Sequence, residues 1–487
     1  MVLLITFQIM HRLLKALLIV VPVTVLAILL LLVSAVQWQR MVDGQRWELG
    51  EAQAIVINDV AILDLSNMRV IARQNVYLAD GQIKAVENVS QALKLGYKVV
   101  PASGRYLSPG LIDSHVHVYS PSELALNLSY GVTTVRNLRG FPVHLRWRDQ
   151  QKVVAFGEAS LLTSSPVLDG PKYAHLMQEV VSSSEQARQR VRLYKEQGFD
   201  SLKVYSYLDQ QVQEAIFDEA RKVGLPVAKH GPHAGQSPLK MLAGAESLEH
   251  LEDIVQGPLA YKLDIERARE YLQQLSELDP YLTPTLASID HFTRLARDKQ
   301  NYVDSLPLAA INPFFRFLNT EFSVNRWLAV GLEDQKWNEQ LRAFLLLVLQ
   351  EADRQGITLL LGSDAGTLYL TAGYSAHQEM AIWEEAGLDK WTILQAATVN
   401  PARAFGLANE IGQLKVGLRA DLLLLEANPL EDLGVMQNPV AVIKAGRVIE
   451  GEDLLALRQR GMESLSWFYG LGVFVEDLWC RWLGGLN

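Results

Sequence analysis

The sequence predicts an α/β architecture: a (β/α)8 TIM barrel, a discontinuous β-sandwich domain drawn from both flanks, and an N-terminal transmembrane helix. Three patterns predict it. Residues 108–409 alternate short apolar runs with helical stretches, residues 51–107 and 410–452 share a strand-and-turn style, and residues 11–38 are almost wholly apolar. Repeated strand-then-helix units imply a parallel sheet, and a span of this length suits a closed eight-stranded barrel. A doubly wound open sheet is the competitor. No GxGxxG follows an early strand, which removes the main support for a nucleotide-binding open sheet.

Residues 13–36, LLKALLIVVPVTVLAILLLLVSAV, hold one charged residue, Lys15, and are long enough to cross a hydrocarbon core as a helix. Arg12 and Lys15 at its start, with no acid beside them, place that end in the cytoplasm and the body on the periplasmic or extracytoplasmic side. The alternative is a cleaved signal peptide and a secreted protein, because Val33-Ser34-Ala35 is an acceptable cleavage site. The flanks read as short strands, AIVINDVAILDL and MRVIARQNVYLADGQIKAVE before the barrel, IGQLKVGLRADLLLLE and PVAVIKAGRVIEGE after it. Neither flank is long enough for its own core, so the two are expected to pair into one sandwich. Within the barrel, GVTTVRNL, KVVAFGEAS, DSLKVYSY, LPVAKHG, ESLEHLE, YLTPTLAS and ITLLLGSDAG are the predicted strands. SSSEQARQRVRLYKEQG, opening on a serine run with an early Glu, and DQQVQEAIFDEARKVG are predicted helices. Residues 291–350 exceed what one crossover helix needs and predict extra helices over the barrel mouth. The tail, 453–487, carries Trp467, Phe468, Tyr469, Phe474, Trp479 and Trp482. That aromatic load fits a membrane interface or a terminal helix packed on the barrel.

A formal charge of −9 and the lack of any Lys/Arg-rich block argue against nucleic acid as partner and favour a small-molecule or peptide-like substrate. With Cys480 the sole cysteine, there is no intramolecular disulfide and no thiolate cluster, so any metal must sit on imidazole, carboxylate or modified lysine. Sequence leaves the oligomeric state open, a homo-oligomer included.

His115 and His117 are two apart on a strand-like run and so point to the same side, at the end of the expected first barrel strand. His230 closes LPVAKH and His250 closes ESLEH; a histidine at so many strand ends is harder to explain by packing than any one of them alone. Lys203 interrupts the apolar strand DSLKVYSY, where a bare ammonium is costly to bury. Either a salt bridge or carboxylation of its amine by CO2, giving an oxygen ligand that bridges two cations, would justify it. Asp364 ends ITLLLGSD, as a ligand and proton acceptor or as a helix N-cap.

At these residues the chain resembles the amidohydrolase superfamily, in particular its binuclear prolidase-like and imidazolonepropionase-related members. LSPGLIDSHVHV, GVTTVRNLRG, DSLKVYS, VAKHG, ESLEHLE, LLLGSDAG and TVNPARAFGLANEIGQLKVGLRADLLLLE carry the resemblance, over residues 51–452. It implies two divalent metal ions, zinc first and Mn, Fe or Co as substitutes. His115 and His117 would hold the more buried ion, His230 and His250 the other, with carboxylated Lys203 between them. It further implies hydrolysis of an amide, peptide or cyclic amide C–N bond by a metal-bridged hydroxide, with Asp364 shuttling the proton. His377, in YSAHQEM, resembles a substrate-contacting position; Tyr119, Tyr205, His233 and Arg136 are further candidates for substrate contact. Lactone or phosphoester hydrolysis, deamination, and a non-catalytic membrane-tethered binding protein are the competing functions. Deaminases of this kind usually use one metal and no bridging lysine, and a relict binding protein would be expected to have lost ligands.

Overall fold

The computed structural model describes residues 2–172, 177–231, 239, 242, 244–463 and 466–484, with side chains described between residues 20 and 481. The N-terminal flank supplies β1 (Ile55–Asp64), β2 (Arg69–Ala79), β3 (Gln82–Asn88), β4 (Lys98–Pro101) and β5 (Tyr106–Pro109). The barrel sheet follows with β6 (Leu111–Val116), β7 (Val132–Asn137), β8 (Ser160–Asp169), β9 (Gln178–Val180), β10 (Ser201–Val204), β11 (Val227–His230), β12 (Ser247–Glu249) and β13 (Tyr281–Thr283). The C-terminal flank adds β14 (Leu422–Leu425), β15 (Ala441–Lys444) and β16 (Arg447–Glu450).

The barrel strands run in parallel in the order β13-β12-β11-β10-β8-β7-β6, with β9 beside β8. Closure comes from the ITLLLGSDAG segment. Leu359 bridges Leu282 of β13 and Ala365 bridges Val116 of β6, both in parallel. The Leu360 N–H donates to Leu282 O and the Ser114 N–H to Leu361 O, each at 2.8 Å. This segment can pass so close because residue 362 is glycine: a Cβ there would meet Thr283 Cγ2 at 2.3 Å and the His115 Cβ at 2.8 Å.

The two flanks join one mixed sheet, ordered β16-β15-β14-β5-β1-β2-β3 with β4 beside β1. The period of two decides its packing. Leu422 and Leu424 of β14 enter a core with Ile57, Val60, Leu78 and Ile443, while Leu423 and Leu425 face the barrel core.

The predicted helices form as Ser184–Gln197, whose cap Ser183 Oγ accepts from the Gln186 N–H at 3.2 Å, and Gln210–Val223, ended by Gly224 at φ +64°. One predicted strand is displaced. KVVAFGEAS makes turns, with Val153 86% exposed, and the strand starts only at Ser160. The true strand SLLTSSPVLD packs small serines inside the barrel, so its apolar signal is weaker than that of the loop before it. Residues 291–350 form a helical cover that includes Pro313–Asn319, a π-helical turn Thr320–Val324, Asn325–Ala329 and Leu332–Arg354.

Val2–Asp43 is one continuous helix, and its part from Val20 is long and apolar enough to cross a membrane. Val20 (58%) and Leu30 (60%) are exposed, which separates it from a buried core helix; Ala35 and Gln39, nearer its end, are fully buried. Those residues dock on the C-terminal helix Trp467–Gly484, whose Tyr469 and Val473 are fully buried.

Candidate metal centre

Each predicted ligand sits where its strand ends. His115 is in β6 and His117 just beyond it; Lys203 is in β10, His230 closes β11, and His250 follows β12. Asp364 lies on the closing segment, its N–H donating to His115 O at 2.8 Å. His250 (φ +68°) and Asp364 (φ +56°) both adopt left-handed backbone, a strained conformation that recurs at functional sites and here turns their side chains at the strand ends.

The side chains converge. Asp364 Oδ1 is 3.0 Å from His117 Nε2 and 3.6 Å from His115 Nε2. The ligand atoms of His115, His117 and Asp364 lie within 4.8 Å of one another. Ring centroids connect the two histidine pairs, His115 to His250 at 4.7 Å and His250 to His230 at 4.3 Å.

Buried polar atoms normally have partners, and leaving one without costs about 1–3 kcal/mol. Here His115 Nε2, His117 Nδ1, His230 Nε2 and the Lys203 amine are all buried with no hydrogen-bond partner among the described residues, and Asp364 Oδ1 faces the two histidine Nε2 atoms. Unpartnered imidazole nitrogens beside an ionised carboxylate are the signature of donors meant for a cation, so His115, His117 and Asp364 fit a divalent metal ion. The protonation states agree. Burial, the largest effect, holds His115 and His230 well below the usual imidazole range and brings His250 down to about 4, leaving neutral lone pairs. Burial also lowers the Lys203 amine to about 8, against the pull of Glu249. Asp364 is pushed up by burial but pulled down further by His117 and the neighbouring imidazoles, so it stays ionised.

The imidazoles are aimed from behind. His115 Nδ1 pairs with Glu249 Oε2 at 2.8 Å, and the His250 ring reaches Thr285 Oγ1 at 2.7 Å. Glu249 is fixed by the Arg136 guanidinium at 2.7 Å and the Ser247 hydroxyl at 2.6 Å. Glu249 had no role in the sequence reading, although Ser247 and Glu249 alternate onto one face of β12 ahead of His250 and could have shown it. His230 Nδ1 lies 3.5 Å from Asp253, whose carboxyl burial raises to about 7.

A cavity of about 750 Å³ opens over the cluster, with His117, His230, His250, Asp364 and Tyr205 at its base and Trp327 and Trp337 of the cover along its wall. Of the residues expected at the substrate, Tyr205 lines this cavity, its ring 4.2 Å from that of His230. Arg136 does not. It is 2% exposed and spends its donors on Ser114 O, Ser247 and Glu249, so it positions Glu249 instead of meeting substrate. His377 is buried with Nε2 on Tyr130 O at 2.8 Å, away from the cavity lining. Tyr119 stacks on Phe315 at 3.9 Å and accepts from Arg139 at 2.6 Å. His233 lies outside the described residues.

Comparison with known proteins agrees with this arrangement. A model of the amidohydrolase family matches residues 106–449. Ochratoxinase of Aspergillus niger is 34% identical over 131 residues, 26% of each chain, so the chain spans about a quarter of that relative's length. Among solved structures, a bottromycin amidohydrolase superposes with TM-score 0.70 at 24% identity, covering 90% of this chain and 94% of that one. A putative prolidase from Bifidobacterium longum gives TM-score 0.64 at 21% identity, covering 85% of this chain and all of that one. The chain belongs to the amidohydrolase family.

Proposed function

We infer that the protein cleaves an amide, peptide or cyclic amide bond at a two-cation centre held by His115, His117, Lys203, His230, His250 and Asp364, with Lys203 carboxylated. On this reading the catalytic domain is the barrel of residues 108–409, and residues 51–107 and 410–452 form one flanking domain on their shared sheet. The observation that carries the reading is the set of buried, unpartnered donor atoms on four of those side chains. Divalent ions, zinc first, would acidify a water and polarise the scissile carbonyl.

The chain's own residues supply the rest. Asp364, ionised and reaching both the first histidine pair and the cavity, takes the proton of the attacking water and passes it to the leaving nitrogen. The Tyr205 hydroxyl, pushed up to about 12 by burial, stays protonated and can donate to a substrate oxygen. The buried amine of Lys203 is unprotonated more readily than a surface lysine, the form that CO2 captures.

The test is metal analysis with a panel of dipeptides, N-acyl amino acids and lactones, on wild type and Asp364→Asn. Asp364→Asn should lower kcat by on the order of 10³-fold, within the usual range for losing a general base. Turnover of lactones with no turnover of amides would reject the reaction class. A chain with full ligands that binds no metal would reject the centre itself.

A further inference from the structure

The N-terminal helix joins the body along the outside of the barrel, and the chain after it reaches the loop that enters β8, where the Leu49 N–H donates to Ala155 O at 2.7 Å. Its last turns bury Asp43, which accepts from Trp147 Nε1 at 2.8 Å and from the Tyr469 hydroxyl at 2.7 Å. Trp147 belongs to the helix Pro142–Gln151, which leaves the exit of β7 and so begins on the side where the ligands sit. Arg40 pairs with Glu476 at 2.7 Å, and Gly472 approaches so closely that a Cβ there would meet Ala35 O at 2.4 Å. The C-terminal helix in turn holds the cover, with Phe314 packed on Trp467 at 5.0 Å and on Phe474 at 5.6 Å. The cover is pinned to the loop after Asp364, where Asn319 donates to Gly366 O at 3.2 Å and accepts from the Leu368 N–H at 3.0 Å. The membrane-length helix, the C-terminal helix and the cover therefore form one connected set of elements around the mouth.

Large apolar side chains stand out to solvent on all three. Trp38 is 44% exposed on the first helix, Trp467 47% on the second, and Phe317, Phe322 and Leu332 are 52%, 78% and 73% exposed on the cover. Exposed aromatic and aliphatic residues next to a membrane-length helix fit the headgroup layer of a bilayer better than water. Inside the mouth, the cavity has the ligands at its base, Arg326, Asp334 and Asn338 on the cover side, and an apolar strip beside them, where Phe292 stacks on Trp327 at 4.3 Å near Val255 and Leu341.

We propose that the cavity mouth faces a lipid bilayer and that the substrate is a membrane-borne amphiphile, an amide joining a long acyl chain to a polar head. This rests on the amide-hydrolase reading and narrows its substrate class. The chain lies along the aromatic wall and the amide reaches the ligands. Water adds to the carbonyl carbon as the C–N bond breaks, giving a fatty acid and an amine that leaves with the proton from Asp364.

The test uses the full-length, metal-loaded protein in phospholipid vesicles, with N-dodecanoyl and N-acetyl derivatives of one amino acid. The dodecanoyl compound should have the higher kcat/KM by at least about 10-fold, since each methylene buried on the wall adds to its binding. Phe322→Glu and Leu332→Glu, both at exposed positions, should remove most of that preference and leave N-acetyl hydrolysis unchanged. A nitroxide at Phe322→Cys, in a Cys480→Ser background, should be more accessible to oxygen than to an aqueous nickel chelate. Equal hydrolysis of both compounds, or a nitroxide that reads as aqueous, overturns this inference and leaves the amide reading standing. Cleavage of neither compound by the loaded enzyme also overturns this inference, and the amide reading falls with it only when lactones are turned over and no dipeptide or other amide is.

Discussion

His115 and His230, one from each histidine pair of the cluster, are held differently. His115 is completely buried, and behind it runs a chain of Glu249, Arg136 and Ser247 in which each polar atom is engaged. The His230 side chain is 20% exposed, opens on the cavity, and among the described residues has only Asp253 at 3.5 Å behind it. A ligand locked by buried, charge-assisted hydrogen bonds keeps its tautomer and direction; a ligand with a loose supporter on an open wall can adjust. His115 thus sits in a preorganised seat, and His230 lies on the open, cavity side of the cluster.

That contrast can be broken by experiment. Glu249→Gln should cost about 10–100-fold in metal affinity at the first seat, because the His115 imidazole loses its ionised partner and Arg136 is left buried with less charge to meet. Isothermal titration should show one of two binding phases weakened; equal weakening of both would abolish the distinction. Thr285→Val removes a neutral hydroxyl from His250. It should weaken the other phase by no more than about 10-fold, the lower end for such supporters.

The smallest effect concerns histidines outside the cluster. Burial brings His144 and His291 down to about 3 and His377 to about 4, and each ring is tied to the protein, to Val118 O, the Tyr302 hydroxyl and Tyr130 O. Their folded values lie below the unfolded one of about 6.5, so the unfolded chain takes up protons first. Stability from these groups is complete above about pH 6.5 and falls as pH drops towards 4, by up to about 1.4 kcal/mol per pH unit for each. Between pH 6.5 and 5.5, where most carboxylates stay ionised, His377→Asn should flatten the denaturation midpoint against pH. An unchanged slope would mean that His377 is protonated in the folded protein.

What the sequence revealed followed from position along strands. Histidines that close apolar runs, and an acid at the end of ITLLLGSD, stand out because packing gives them no reason to be there. Supporters do not stand out in this way. Glu249 reads as one more acid in a Glu-rich stretch, and Arg136, inward on β7, looks the same whether it meets substrate or a buried carboxylate. Alternation failed where the barrel interior is small and polar, as at Ser164 and Ser165 of β8, since periodicity reports apolar area and not which face is covered. The aromatic tail fitted either of two environments, and Tyr469 and Trp467 divide between them, the first buried and the second about half exposed.

The sheet shared by the flanks has a consequence for synthesis. β5 pairs with β14, joining Leu107 to Leu424 and Pro109 to Leu422, so strands made early wait for partners made more than 300 positions later. Contacts so distant in sequence form slowly and leave edges open meanwhile. A chain truncated anywhere before β14 would leave Leu107 without its neighbour and β5 as a bare template for aggregation. Harmful premature stops should therefore extend almost to the last strands, well beyond the final residue that touches the reaction.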